Sequence, residues 1–236
     1  MISGSMLDVE EVHTYYGESH ILQGVSLNIE QGENVALIGR NGVGKTTTLR
    51  SILQLTPPRS GSIRYAGEEI TGKATHEVAA KGIGWIPEDR RIFDHLTVAE
   101  NIKAATPEAT DSDKAYDLVY DVFPDLQELQ GKEGGSLSGG QQQMLAIARG
   151  LVGENELLLI DEPSEGLAPM IVERVVEALS EIAKEKTILL VEQNFSMAMD
   201  LTDRYYLLDN GEVVGTGDSD AVSRDDEIIQ KHLLTA

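Results

Sequence analysis

Two stretches near the start, residues 7–15 and 25–29, alternate apolar and polar side chains with a period of two. That period predicts strands buried on one face. Residues 35–38, 157–160 and 188–191 are instead unbroken apolar runs, the pattern of short strands buried on both faces. Residues 83–86 read as a further short strand, stopped by Pro87. Two hairpins are legible: residues 61–70 turn at Ala66-Gly67, and residues 204–214 turn at Asn210-Gly211. Asn-Gly is the pair that best tolerates positive φ at both central positions of a tight turn. Residues 46–55 follow a glycine-rich turn with helical character and are closed by Pro57 and Pro58.

Strands separated by helices imply parallel pairing and an α/β core. The middle breaks this rhythm: residues 97–153 hold no convincing strand. Within them, residues 111–123 read as a capped amphipathic helix with Ala115, Leu118, Val119 and Val122 on one face. The predicted organisation is a core from residues 1–87 and 156–236, interrupted by a mostly helical subdomain over 88–155. No internal repeat and no low-complexity segment is present.

Charge narrows the classes. Lys and Arg total 19 against 40 Asp and Glu, a net charge of −21, which argues against a nucleic-acid surface of clustered cations. There are no cysteines, so disulfides and thiolate metal sites are excluded. No apolar run approaches the roughly 20 residues that span a bilayer. Residues 1–6 lack the basic and apolar regions of a signal peptide and read as a polar leader, with Met6 a plausible start. The expectation is a soluble, cytoplasmic chain whose membrane contact runs through partners.

The strongest local motif is Gly39-Arg-Asn-Gly-Val-Gly-Lys-Thr46, which fits G-x-x-x-x-G-K-[ST] between a strand and a helix. Glycines let the backbone wrap a phosphate with inward-pointing N–H groups, and the helix N-terminus adds a positive dipole end. Lys45 would reach the β- and γ-phosphates, and the Thr46 hydroxyl would take a Mg²⁺ position. The second motif, Leu157-Leu-Leu-Ile-Asp161-Glu162, is a buried strand delivering carboxylates to its C-terminal edge. Asp161 is suited to holding Mg²⁺, and Glu162 to orienting or deprotonating an attacking water. The third, Leu137-Ser-Gly-Gly-Gln141, places Ser138 and the amides of Gly139 and Gly140 at the start of a helix over 142–151, a second anion cradle.

Together the three motifs resemble the ABC ATPases, whose signature is LSGGQ, and the likeness runs from about residue 7 to residue 233. It implies a P-loop NTPase core with an antiparallel β subdomain and an inserted helical subdomain. ATP contacts would fall on Gly39, Asn41, Gly42, Gly44, Lys45, Thr46 and Thr47, and on Ser138, Gly139, Gly140 and Gln141. Tyr16, just before Gly17, matches the aromatic residue that stacks on adenine, with Tyr15 the fallback. Residues 164–167 resemble the D-loop that crosses between two ATPase subunits.

Two departures narrow the resemblance. Glu88, in Ile86-Pro87-Glu88, stands where most members carry glutamine, and Gln193, in Val191-Glu-Gln193, where most carry a switch histidine. Glutamine can hydrogen-bond a γ-phosphate but cannot be protonated near neutral pH. These features, with residues 89–93 and 163–169, resemble the LivF-type ATPases of branched-chain amino-acid importers. Residues 19–22 and 39–43 are similar to the related urea and short-chain amide importers. The resemblance implies a second ATPase subunit, identical or related, transmembrane permease subunits gripped near residues 88–101, indirect contact with a solute-binding protein, and a place on the inner face of the membrane. Among rivals, repair ATPases of this type carry long coiled coils between the motifs and translation factors carry two ATPase units. A nucleotide-binding regulator would not need intact Lys45, Asp161 and Glu162. The five histidines, His13, His20, His76, His95 and His232, show no ligand spacing.

Overall fold

A computed structural model describes residues 5–108 and 110–234. Most of the leader, residues 1–4, lies outside the described residues. The chain opens with two long antiparallel strands, β1 (Ser5–Tyr16) and β2 (Ser19–Glu30), whose alternation extends further than the sequence pattern predicts. Both strands carry register shifts, and Glu11 sits at positive φ, which explains why the period of two fades between them. The short apolar strand β3 (Val35–Ile38) follows, buried throughout, and leads into α1 (Lys45–Ile52). The helix stops at Ile52 rather than at residue 55, with Gln54 at φ 57° turning the chain.

The next hairpin is β4 (Ser60–Tyr65) and β5 (Glu68–Glu69), with positive φ at both Ala66 and Gly67 as the turn chemistry requires. After the short helix α2 (Thr75–Ala79) comes β6 (Ile83–Ile86). Four helices then follow without an intervening strand: α3 (Val98–Ala105), α4 (Ser112–Val122), α5 (Pro124–Glu128) and α6 (Gly139–Leu151). Among the described residues of this stretch, β pairing is limited to one isolated bridge, Thr97 to Glu133. Asp111 caps α4 by accepting from the Asp113 N–H, as its sequence predicts. Ala115 and Val119 are buried, but Leu118, expected on the same face, is exposed. Three residues from Ala115 and one from Val119, it falls on the flank of the helix. The signature helix α6 begins at Gly139, earlier than expected, because Ser138 and Gln141 form a reciprocal capping box.

The remaining elements are β7 (Leu157–Asp161), α7 (Pro169–Ala183), β8 (Thr187–Glu192), α8 (Phe195–Leu201), β9 (Arg204–Asp209) and β10 (Glu212–Asp218). Two sheets result. One is antiparallel, in the order β2-β1-β4-β5; the other runs β10-β9-β3-β8-β7-β6, parallel from β9 to β6. One hydrophobic cluster joins the antiparallel sheet to a face of the parallel sheet through Leu7, Leu27, Leu49 and Val191. A second packs the opposite face against α6 and α7 through Leu145, Leu158 and Leu179.

The sheets are also tied by a charged cluster. Arg204 donates to both oxygens of Glu33, at 2.6 and 2.8 Å, and also to the Tyr206 hydroxyl and the Asn28 carbonyl. Gly211, at the β9–β10 turn, seats that hairpin against β2: a Cβ there would lie 2.0 Å from the Ile21 carbonyl. Its own N–H donates to Val43 of the glycine-rich loop at 2.9 Å.

Candidate active site

Parallel strands deliver their C-terminal ends to one edge, and here β3, β7 and β8 bring the predicted groups together. β3 sits next to β8, and β8 next to β7, so the glycine-rich loop and the acids after β7 meet above the end of β8. Helix α1 starts from Gly44 at φ 115° with no side chain capping its first N–H groups. Only glycine adopts that backbone readily, and uncapped N–H groups at a helix start are suited to an anion. A cavity of about 210 Å³ lies over this turn, lined by Tyr16, Ile21, Gly42, Gly44, Lys45, Thr46, Thr47 and Glu162.

The cavity is strongly organised by charge. The buried Lys45 ammonium donates to the carbonyls of Gly39 and Arg40, at 2.9 and 3.0 Å, and pairs with Glu162 Oε1 at 2.9 Å. Thr46 donates its hydroxyl to Asp161 Oδ1 at 3.0 Å. Asp161 is 1% exposed, and its second oxygen, Oδ2, is buried with no partner. Burial pushes this carboxyl up to about 6, with the negative charges of Glu162 and Glu88 adding to the effect. A buried, unsatisfied carboxylate oxygen beside a hydroxyl fits a hard divalent cation, so Asp161 and Thr46 could hold Mg²⁺.

Glu162 has left-handed backbone, φ 44°, unusual for a residue with a side chain and costing on the order of 1 kcal/mol. Its N–H donates to the Val191 carbonyl at 2.9 Å, which holds the strained turn against β8. Glu165, three residues on, hydrogen-bonds Glu162, and that bond together with burial pushes the Glu165 carboxyl up to about 7. No sequence signal marks the left-handed turn. Glu165 and Glu192 were also not singled out by their residue types, although an acid closing the apolar run of β8 is a visible anomaly.

Tyr16 is 44% exposed and lines the cavity, whereas the ring of Tyr15 is already covered. His20 stacks on Tyr15 with centroids 4.2 Å apart, and the Arg59 guanidinium lies 4.1 Å from its centroid. Asn41 is exposed on the loop, and Gly39 turns its carbonyl to Lys45. The signature residues stand apart from this cavity. Ser138 and Gly139 are exposed, Gly140 and Gln141 half-buried, and Gln141 accepts from the Ser138 N–H at 3.0 Å. Arg90 braces that helix by donating to Gln142 and Gln143, which links it to the segment carrying the exposed Glu88. Gln193 is exposed at the end of β8.

A larger hollow of about 1020 Å³ lies between α4–α5 and α7, lined by Asp121, Asp125, Glu177, Glu181 and Glu185 among others; it includes none of the predicted site residues. His13 and His20, on the two strands of the first hairpin, meet at 3.1 Å. Among the described residues no group of three or more His, Asp or Glu could hold a metal ion by itself.

Phosphate-loop, strand-end acids and crossover helices define a P-loop nucleoside triphosphatase. The sequence profile of the ABC transporter family matches residues 22–165, and the chain belongs to that family; it binds and hydrolyses ATP. The high-affinity branched-chain amino acid transport ATP-binding protein BraG of Pseudomonas aeruginosa is 45% identical over 213 residues, covering 89% of this chain and 91% of that protein. The probable branched-chain amino acid transport ATP-binding protein LivF of Archaeoglobus fulgidus is 37% identical, covering 90% and 92%. Among solved structures, CbiO1 of Clostridium perfringens, part of the CbiONQ transporter complex, aligns with a TM-score of 0.80 at 29% identity over 96% of this chain and 94% of that one. A dimeric post-hydrolysis ATP-binding cassette bound to ADP and phosphate aligns with a TM-score of 0.81 at 26% identity, over 91% and 99%.

Proposed function

We propose that this chain powers an importer of branched-chain or other hydrophobic amino acids, as one half of an ATPase pair attached to permease subunits on the inner face of the membrane. The 45% identity to BraG supports the solute class. The dimeric cassette and the transporter-complex subunit among the structural neighbours support the pairing and the attachment. No helix among the described residues is long and apolar enough to cross a membrane, which leaves translocation to partners.

The observation that carries the chemistry is the convergence of Lys45, Thr46, Asp161 and Glu162 on one small cavity. The N–H groups of residues 42–47 and the Lys45 ammonium bind the phosphates, which compete with Glu162 for that ammonium. Mg²⁺, held by Asp161 and Thr46, would neutralise charge on the phosphate oxygens. Glu162, released toward the attacking water, takes its proton. Gln193 donates its amide N–H to a γ-phosphate oxygen, a role that needs no imidazolium. Tyr16 stacks on the adenine, as its free ring face supports. Ser138, Gly139, Gly140 and Gln141 offer a second anion cradle to the nucleotide of the opposing subunit, and Glu88 lies on the segment joining the ATP site to the helical subdomain of residues 88–155.

Replacing Glu162 with Gln tests this reading. Equilibrium binding of a non-hydrolysable ATP analogue should persist while turnover falls by about 10²–10⁴-fold. A variant keeping more than half the wild-type rate overturns the assignment. In the cells that make this protein, the same variant should abolish uptake of radiolabelled leucine. Undiminished leucine uptake with lost uptake of urea or short-chain amides would move the solute to that class.

A further inference from the structure

Glu192 is 2% exposed, closes β8, and has had no part in the chemistry so far. Its two carboxylate oxygens accept three backbone N–H groups from two separate loops. Oε1 accepts from Ser164 at 3.1 Å, just past Glu162; Oε2 accepts from Gln193 and Asn194, both at 3.0 Å. Its backbone is the register partner of Ile38, the last residue of β3 before the phosphate loop. Glu192 therefore stands where the three loops of the site meet.

We propose that Glu192 is a positioning residue for hydrolysis: its buried carboxylate ties the chain after β7 to the chain after β8, fixing the spacing between Glu162 and Gln193. Buried and with both oxygens taken by backbone N–H groups, it acts through those two residues. The geometry favours this over a packing role. Charge-assisted bonds to N–H groups are stronger and more directional than neutral ones, and both oxygens are used. The two loops have other anchors of their own: Glu162 N–H to Val191, and the Asn194 side chain accepting from Met197 at the start of α8. The first already holds Glu162 to the end of β8, one residue before Glu192, and the second holds Asn194 to α8; neither reaches from the loop beyond Glu162 to the loop beyond β8. Among the described residues, the contact that binds the Ser164 amide to the Gln193 and Asn194 amides is the Glu192 carboxylate. The neighbouring Asn194 can cap α8 without it, so loss of Glu192 should loosen loop spacing while leaving α8 formed.

The inference rests on the roles proposed above for Glu162 and Gln193, and two independent readouts separate its failure from theirs. The variants are Glu192→Gln, which keeps size and one acceptor, and Glu192→Asp, which keeps charge but is too short to reach both loops. Amide hydrogen exchange on the full chain should show the amides of at least one loop, Ser164 or the Gln193–Asn194 pair, exchanging at least tenfold faster in each variant, with the amides of β7 and β8 unchanged. Steady-state ATP hydrolysis should show kcat reduced at least tenfold while the affinity for a non-hydrolysable ATP analogue stays within twofold. Combining Glu192→Gln with Gln193→Ala should cost less than the product of the two separate losses, because both act through one positioned group. Unchanged exchange at the three amides would overturn the clamp whatever Glu162 does. Faster exchange with wild-type kcat would overturn its bearing on hydrolysis, and a general rise in exchange across β7 and β8 would reduce Glu192 to a folding residue.

Discussion

Replacing Asp161 with Asn should make the nucleotide-free protein more stable and the nucleotide-bound protein less so. The carboxyl is raised from its usual 3.8 to about 6, chiefly by burial. At about 1.4 kcal/mol per pH unit, holding it ionised costs the folded chain about 3 kcal/mol. The sign follows from proton binding: between pH 4 and 6 the folded state holds this proton more tightly than the unfolded state does. Stability therefore falls as pH rises through that window, and the full cost applies above it. Asparagine removes the charge and keeps an oxygen for the Thr46 hydroxyl, but it places an unpartnered NH₂ where Oδ2 lay, at about 1–2 kcal/mol. The net gain is about 1–2 kcal/mol, or roughly 2–8 °C in Tm for a chain of this size. Thermal melting at pH 8 reads it directly. Adding an ATP analogue with Mg²⁺ at about 100 times Kd should stabilise the wild type by about 2.7 kcal/mol and the variant far less. A variant that melts no higher than wild type without nucleotide, or gains as much from it, would refute this account of the buried carboxylate.

Tyr16→Ala should raise the KM for ATP with little change in kcat, because stacking serves ground and transition states alike; a larger effect from Tyr15→Ala would move the adenine platform to its neighbour. Gln193→Ala should lower turnover by an amount equivalent to about 1.5–3 kcal/mol, the worth of a hydrogen bond to a charged group, while Gln193→His is tolerated; full activity in the alanine variant would make the position a bystander in steady-state assays. Arg204→Ala should cost about 3 kcal/mol in urea unfolding, since it strands the Glu33 carboxylate, which is 19% exposed and held by that guanidinium; a change within 0.5 kcal/mol (about the scatter of a surface substitution) would show the cluster is not what joins the sheets.

Strand positions were legible because burial on both faces leaves a signature: the apolar runs at 35–38, 157–160 and 188–191 are β3, most of β7 and the heart of β8, while the short run stopped by Pro87 is the half-buried β6. Turn chemistry was as reliable, with Ala66-Gly67 and Asn210-Gly211 both at positive φ. The placement of the three motifs was legible: the glycine-rich loop leads into α1, Asp161 ends β7, and Ser138 caps α6. What could not be read depended on distant segments. The left-handed turn at Glu162 is imposed by a bond to Val191, the partnerless oxygen of Asp161 by packing from several strands, and the covering of Tyr15 by Arg59 from another part of the sheet. Leu118 shows the opposite error: helical periodicity places a residue near an apolar face, but only the neighbouring elements decide how wide that face is.

The strand order has a consequence for how the protein is made. Among the described residues, β3 is hydrogen-bonded only to β8 and β9, and these lie some 150 residues further along the chain. A nascent polypeptide emerges with its entire phosphate-loop sequence early, yet the strand that aims the loop has no neighbour until Glu192, the end of β8, has cleared the ribosome. At roughly 5–20 residues per second, that interval lasts on the order of 10–30 s. Throughout it the β3 edge is an unpaired, wholly apolar strand, the kind of surface that other chains can pair with. Truncated products ending before residue 187 would accordingly carry the ATP motif without the ability to bind ATP, and would depend on chaperones to stay monomeric.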